Sequence, residues 1–541
     1  MTPGNDRLGK IGKSIIIEAL ALICICAIIA GCTGQAGVNG NTSSNTGYNI
    51  KKLVIGTTFQ IADININDVR FSEIRKALTH QGMVRIAPNG TYVPALADSW
   101  ETKDAKTWVY HLNKSARWHD GVPVTSKDVN FTINYMKDKF KSFSDVESVS
   151  TPDDYTVVIT LKAPNSNYLM SNINDVIYPM HIFQNVSEPT KFNDVNATIG
   201  SGLYKFDSFD KQAGVLTFKA NDAYPGGKPA VEAIEIRMFK STDTMVMALQ
   251  KGEIDTVYSY SQGLPYYYVP KLLQNDDIKL LMINNTGIPA ALYFNTNRAP
   301  YDNVSFRRAI SLAINYGEIA NLVGGGYGQA PNAGFVPTGS AYYVDTPRLT
   351  YNLSESKRIL NSIGYKDVNG DGFREMPDGS LLKTTIYVSN AFDDAVRASS
   401  LVKEYLNAAG IAVDVRVVDQ STFNSVLGKH DIVIFPATPA GMRMYAGFGS
   451  TYIDGRKLKL SNVTDPEYQS IVDGLMTTAD NGRYDELSSS IQGYYASQLP
   501  AISLYWSDFI QPYNKKYEGW TPNPFWGILS YETFYNLHAA C

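Results

Sequence analysis

Cysteine is scarce: the chain has four, at Cys24, Cys26, Cys32 and Cys541. That leaves no disulfide framework and no cysteine zinc site. Histidine is sparse too. The six, His80, His111, His119, His181, His430 and His538, show no paired metal-ligand spacing, which argues against a bare-ion site. Charged residues make up 18% with a net charge of −4, so there is no electrostatic reason to expect a nucleic-acid partner. HExxH, Walker A and GxSxG motifs are all missing, which disfavours the enzymes built on them. Beyond the N-terminal segment no apolar stretch reaches spanning length, so the body is expected outside the bilayer.

The first informative segment runs from Lys10 to Cys32, KIGKSIIIEALALICICAIIAGC. Arg7, Lys10 and Lys13 precede a short apolar run that ends Ile29-Ala30-Gly31-Cys32, the charge-then-apolar order of a signal peptide. A small-residue pair directly before a cysteine resembles a lipobox, in which Cys32 is lipidated and becomes the new N-terminus. Glu18 interrupts the run and leaves Ala19 to Ala30 uncharged, short of the about 20 apolar residues a spanning helix needs. An uncleaved N-terminal anchor is the alternative. Either reading puts the body outside the cytoplasm, held at the membrane through its N-terminus. Residues 1–32 are thus expected to be signal with lipobox, and 33–50, Gly-, Ser-, Thr- and Asn-rich, a flexible tether.

At 541 residues, 44% of them hydrophobic, the chain is too long for one ordinary core, and two or more lobes are expected. With no disulfides, an exported fold must be held by that core alone. Thirty-five tyrosines and six tryptophans supply flat apolar faces with one polar tip, suited to lobe interfaces and clefts.

Strand patterns at Lys52–Gly56 and Trp108–Leu112 come before the turn His119-Asp120-Gly121. Thr125 with Asp128 predicts a capping box opening a helix through Phe131 and Tyr135. Strands follow at Tyr155–Leu161, Val215–Lys219, Ala233–Met238, Ala291–Asn295, Leu381–Val388, Val413–Val418 and Ile432–Phe435. Helices are predicted over Thr242–Gln250, Ser354–Ile363 and Asp394–Ala408. Phe306, Ala309, Ile310, Ala313 and Ile314 share one helix face. Mixed strands and helices in this order indicate α/β lobes.

Several of these segments carry a resemblance. Pro94-Ala95-Leu96-Ala97-Asp98-Ser99-Trp100, then the aromatic strand, then Trp118-His119-Asp120-Gly121-Val122-Pro123-Val124-Thr125 with Asp128-Val129, is similar to a block of the extracellular solute-binding proteins of ABC importers, family 5. Gly200-Ser201-Gly202-Leu203-Tyr204-Lys205-Phe206, Asn221 through Gly227-Lys228-Pro229, Gly252-Glu253-Ile254-Asp255, and Phe294-Asn295-Thr296 with Arg307-Arg308-Ala309-Ile310 continue the likeness in order. It implies a type II, cluster C periplasmic-binding-protein-like α/β fold: two lobes, a hinge and an interlobe ligand cleft. Lobe 1 would be 51–292 with the return segment 500–541, and lobe 2 would be 293–499. The implied function is capture of a solute, a peptide first and a nickel or metal chelate second, for delivery to ABC permease and ATPase subunits. A ligand sensor on the same fold is the rival. A monomer and no catalytic residue are expected.

The resemblance implies that peptide-binding members often carry an aspartate in the second lobe, shortly after a strand like Asp431–Phe435, which pairs with the peptide's α-amino group. Here Phe435 to Tyr445 has no acid but has Arg443, whose guanidinium suits a carboxylate or phosphate. Arg443, Phe435, Tyr445, Thr438 and Asn295 are the candidate ligand residues, with His430 as a metal candidate. Asp367, Asn369, Asp371, Phe373, Glu375 and Asp378 resemble an EF-hand loop, with Gly372 at the sharp turn and Asp378 where a longer Glu is usual. A structural calcium is thus the candidate cofactor, none being required. Gly324-Gly325-Gly326-Tyr327-Gly328 follows a helix, whereas a phosphate loop follows a strand, so it is not read as one. His119-Asp120 is expected to be structural.

Overall fold

The computed structural model describes residues 48–66, 68–172, 175–259, 263–339, 342–437, 460–523 and 527–540, all within the unit Gly47–Cys541. The signal segment, Cys32, nearly all of the tether, and the site candidates Thr438, Arg443 and Tyr445 lie outside the described residues.

Local signals set many elements where the sequence predicts them. The helix Ser126–Phe140 opens with the Thr125/Asp128 capping box, the Thr125 amide donating to Asp128 Oδ2 at 2.8 Å. It closes at Lys141 in the left-handed region, φ 60°. The helix Val304–Ala313 is capped by Asn303 and buries Phe306, Ala309, Ile310 and Ala313, the predicted stripe.

Two strands organise the fold. Ile278–Phe294 has 17 residues and Ala501–Asn514 has 14. At about 3.3 Å per residue they span roughly 55 and 45 Å, well beyond ordinary strands. They pair antiparallel from Ile278↔Asn514 to Tyr293↔Ala501. At one end Ala501–Asn514 meets Thr256–Tyr258, which continues through Ile50–Thr57, Val231–Met238, Val215–Ala220 and Tyr204–Asp210. At the other end Ile278–Phe294 meets Ile432–Ala437, followed by Lys383–Ser389 and Ala412–Val418. Among the described residues one eleven-stranded sheet thus runs through both lobes, and the long pair is what belongs to both. Between the halves its register slips three times, at Ile283/Gly287, Gly287/Ala290 and Ala290/Ala291. Bulges bend a ladder and weaken it locally.

Each lobe has its own core. In the second lobe the long strand alternates its faces: Ala290, Leu292 and Phe294 enter one cluster with Phe306, Ile310, Ile386 and Leu406. Ile288, Ala291 and Tyr293 enter the other with Val433, Tyr468, Leu475 and Tyr495. The first lobe holds Leu53, Ile55, Phe71, Tyr204 and Phe534 in one cluster. A separate four-stranded antiparallel sheet, Ala97–Thr102, Thr107–Leu112, Thr156–Leu161 and Val146–Asp153, packs Trp108, Tyr110, Trp118 and Ile159. Among the described residues no helix is long and apolar enough to cross a membrane.

Candidate functional site

The second lobe's three parallel strands, Lys383–Ser389, Ala412–Val418 and Ile432–Ala437, end together at one edge of the sheet. Open α/β sheets bind ligands outside the carboxyl ends of their strands. Three phenylalanines gather at this edge. Phe435 lies in the last strand, Phe392 starts the helix Asp393–Ala408, and Phe423 sits in the helix Gln420–Val426. The Phe435 ring meets Phe392 edge-on, 5.0 Å between centroids at 76°, and stacks on Phe423 at 5.4 Å and 20°. Such pairs contribute beyond the area they bury. The Ser389 hydroxyl donates to Gln420 Oε1 at 2.8 Å and the Asn390 amide to the Val418 carbonyl at 2.8 Å, which holds the turns at this edge. The strand bearing Phe435 leads directly to residues 438–459.

Asn295 is not part of this wall. It follows the long strand at the opposite edge, where its amide nitrogen donates to the carbonyls of Asp431's neighbour His430 (2.9 Å, from Nδ2) and Gly428 (3.2 Å). Its backbone N–H goes to Asp431 O, at 3.1 Å. Four residues of strand, about 13 Å, separate Asp431 from Phe435. Asn295 therefore pins the entry to Ile432–Ala437. His430 is corrected the same way. It is 2% exposed, its Nδ1 accepts from the Gly428 amide at 3.2 Å, and Nε2 donates to Leu460 O at 2.8 Å. Burial lowers its pKa, so it stays neutral with both nitrogens engaged and offers no lone pair to a metal.

The loop at 367–378 closes on itself. Asp367 accepts from the amides of Gly370 (2.7 Å) and Gly372 (3.0 Å), and Asp371 Oδ1 accepts from the Phe373 amide at 2.8 Å. Glu375 accepts from the Val368 amide at 2.7 Å. The Asn369 amide nitrogen donates to both Asp371 (3.1 Å) and Glu375 (2.9 Å), placing a neutral donor between two carboxylates. Asp378 turns away to accept from Ser380. Among the described residues no group of three or more His, Cys, Asp or Glu side chains is placed to hold a metal ion.

His119 and Asp120 serve separate turns. The His119 ring clamps the Gly200–Gly202 segment: Nδ1 accepts from the Gly200 amide (3.2 Å) and Nε2 donates to Gly202 O (3.1 Å). Burial pushes its pKa down to about 4, and the Gly202 bond offsets only part of that. Asp120 pairs with His181 Nε2 at 2.7 Å.

The glycine run at 324–328 has a packing role that was not visible in the sequence. Gly325, at φ 58°, lies under the Tyr266 ring of the first lobe, where an added Cβ would fall 1.8 Å from Tyr266 Cδ2. Arg397 covers the same ring at 5.4 Å, is paired with Asp394, and Asp394 accepts from Tyr505 O–H at 2.8 Å. The start of the helix Asp393–Ala408 thus touches both the aromatic wall and this contact between lobes. Phe392, Phe423, Tyr266 and Arg397 were missed in the sequence. A glycine run beside a helix end is the one signal in the sequence that could have pointed to a close approach.

Two lobes joined by a shared pair of long strands, with an aromatic-lined edge on one of them, set out the frame of a two-lobed solute-binding protein. The family model for bacterial extracellular solute-binding proteins, family 5 (Middle), matches residues 91–458. The chain belongs to that family. It is 22% identical to the dipeptide-binding protein DppE of Bacillus subtilis over 538 residues, covering 92% of this chain and 94% of the relative. Its fold matches the periplasmic oligopeptide-binding protein of Thermotoga maritima with TM-score 0.76 and 26% identity, over 91% of this chain and 99% of that one. It also matches NikA of Brucella suis, solved with Fe(III)-EDTA, with TM-score 0.77 and 17% identity over 90% and 100%.

Proposed function

We propose that this chain is the substrate-binding component of an ABC importer, taking up a peptide outside the cell and delivering it to the membrane permease and its ATPase. Binding is reversible, and no covalent step or cofactor is needed. The observation that carries the reading is the single sheet shared by two lobes through one bulged strand pair, which is a hinge around which lobes close on a solute. The family membership and the peptide-binding relatives support peptide as the solute class. Phe435, with Phe392 and Phe423 behind it, forms the apolar wall. Arg443, Thr438 and Tyr445 follow in the chain and are proposed to meet the solute's polar groups. Against the expected bounds, 51–292 with 500–541 and 293–499, we place the crossing at the bulges between Ile283 and Ala291, because Ile288, Ala290–Phe294, Ala501, Ile502 and Leu504–Trp506 pack in the second lobe's cores. An acylated Cys32 anchors a monomer at the outer face of the membrane.

Native mass spectrometry of protein purified from its own host tests this. A peptide mass released on unfolding is the expected result. A chelated metal would replace the peptide reading with the second one, which the Fe(III)-EDTA complex of NikA favours. Turnover of the carried molecule would overturn the binding-protein reading altogether.

A further inference from the structure

Among the described residues the four-stranded sheet of the first lobe shares no strand pairing with the large sheet, yet a loop at its end reaches the second lobe. The loop follows Thr156–Leu161 and is rigid: the Asn165 amide donates to Ala105 O at 2.8 Å, and Asn165 Oδ1 accepts from the Asn167 amide at 3.0 Å. Tyr168 and Leu169 then enter the sheet's core. Ser166, 2% exposed, sits at the tip. Its amide donates to Met476 O at 2.7 Å and its hydroxyl to Leu475 O.

Those carbonyls belong to the last turn of the helix Pro466–Thr477, whose Tyr468, Val472 and Leu475 are buried in the second lobe. The last four carbonyls of any α-helix lack partners within it. Here Thr478 N–H takes Gly474 O at 3.0 Å, and the next two are satisfied by Ser166 from the other lobe. A helix C-terminus also carries partial negative charge, which suits two donors. Rotation at the bulged strand pair leaves that pair intact. A contact made between elements outside the pair must separate when the lobes part.

We propose that Ser166 is a closure catch: it caps the helix Pro466–Thr477 across the lobes, holds the chain shut, and slows release of a solute it does not touch. This rests on the solute-capture reading. It makes Ser166 a positioning residue for closure rather than a ligand contact.

The test compares the full chain with Ser166→Ala and Ser166→Thr by hydrogen–deuterium exchange, without added solute. Loss of one hydrogen bond predicts exchange at 163–168 about fivefold faster in Ser166→Ala. Ser166→Thr, which keeps the hydroxyl, restores the original rate, and the strand Thr156–Leu161 is unchanged in both. Equal exchange in the alanine variant and the parent overturns the catch. So does acceleration that extends into Thr156–Leu161, failure of threonine to rescue, or a parent amide already exchanging at the unprotected rate. Loaded from a mixture of synthetic di- to pentapeptides, Ser166→Ala releases peptide about fivefold faster with association unchanged. If neither protein retains any peptide, the peptide reading fails while the exchange result still judges the catch.

Discussion

Gly325→Ala is expected to be among the costliest single-atom additions in this molecule. The new Cβ would lie 1.8, 2.2 and 2.7 Å from Cδ2, Cε2 and Cγ of Tyr266, distances no side chain tolerates. The ring cannot slide aside freely, because Arg397 lies over it and is itself held by Asp394 and Tyr505. The backbone adds to the cost: φ is 58°, a conformation that disfavours a β-carbon by about 1–2 kcal/mol. Overpacking contributes about 1–3 kcal/mol more. The sum, about 2–5 kcal/mol, is a large part of the 5–15 kcal/mol typical of a domain. Urea unfolding followed by tryptophan fluorescence measures it. The reasoning also predicts non-additivity. In Gly325→Ala with Tyr266→Ala the clash is gone, so the second glycine substitution should cost only the backbone part, about 1–2 kcal/mol. A stability change within about 0.5 kcal/mol for Gly325→Ala alone, the range of an ordinary surface substitution, would refute the argument.

Acid should weaken the fold through its buried histidines. His119 has a folded pKa of about 4, below its unfolded value near 6.5, so the folded state binds fewer protons. Its stability is whole above pH 6.5 and is lost as pH falls toward 4. The loss amounts to at most about 3 kcal/mol, and less because the ring keeps some solvent contact. His80 and His430 shift the same way, while Asp175, raised by burial to about 6, opposes them by favouring the folded state as pH falls through that value. Thermal midpoints at pH 7.5 and 5.0 should differ, and His119→Gln should narrow the gap. Asn295→Ala strips a donor from the carbonyls of Gly428 and His430 and should cost about 1–3 kcal/mol in urea unfolding. It should leave the carried solute unchanged by native mass spectrometry, and loss of that solute alone, at unchanged stability, would return Asn295 to the ligand site. Because the carboxylates at 367–378 are already engaged by their own loop, the chelator-stripped protein should show no heat of calcium binding by calorimetry. A measurable uptake would show that the Asn369 amide gives way to the ion.

How legible the fold was depended on the range of the interactions. The capping box at Thr125, the stripe from Phe306 to Ala313 and the β-rich run Tyr155–Leu161 rest on neighbours within about four residues, and each lies within a residue or two of its observed place. The long strands were not. Only Ala291–Asn295 was read as strand, although the element begins at Ile278, and Ala501–Asn514, rich in aromatics and buried on both faces, shows no alternation to read. Asn295 looked like a site residue because it stands in a family segment. Its partners, Gly428 and His430, lie more than a hundred residues away.

The order of local elements and the family likeness were written in the chain, because each depends on residue type and short spacing. Which residues meet was decided by tertiary structure. Tyr266 on Gly325 and Ser166 on the helix Pro466–Thr477 are contacts between segments that the paired long strands bring together from the two lobes, and the three phenylalanines meet because parallel pairing within the second lobe ends their strands side by side.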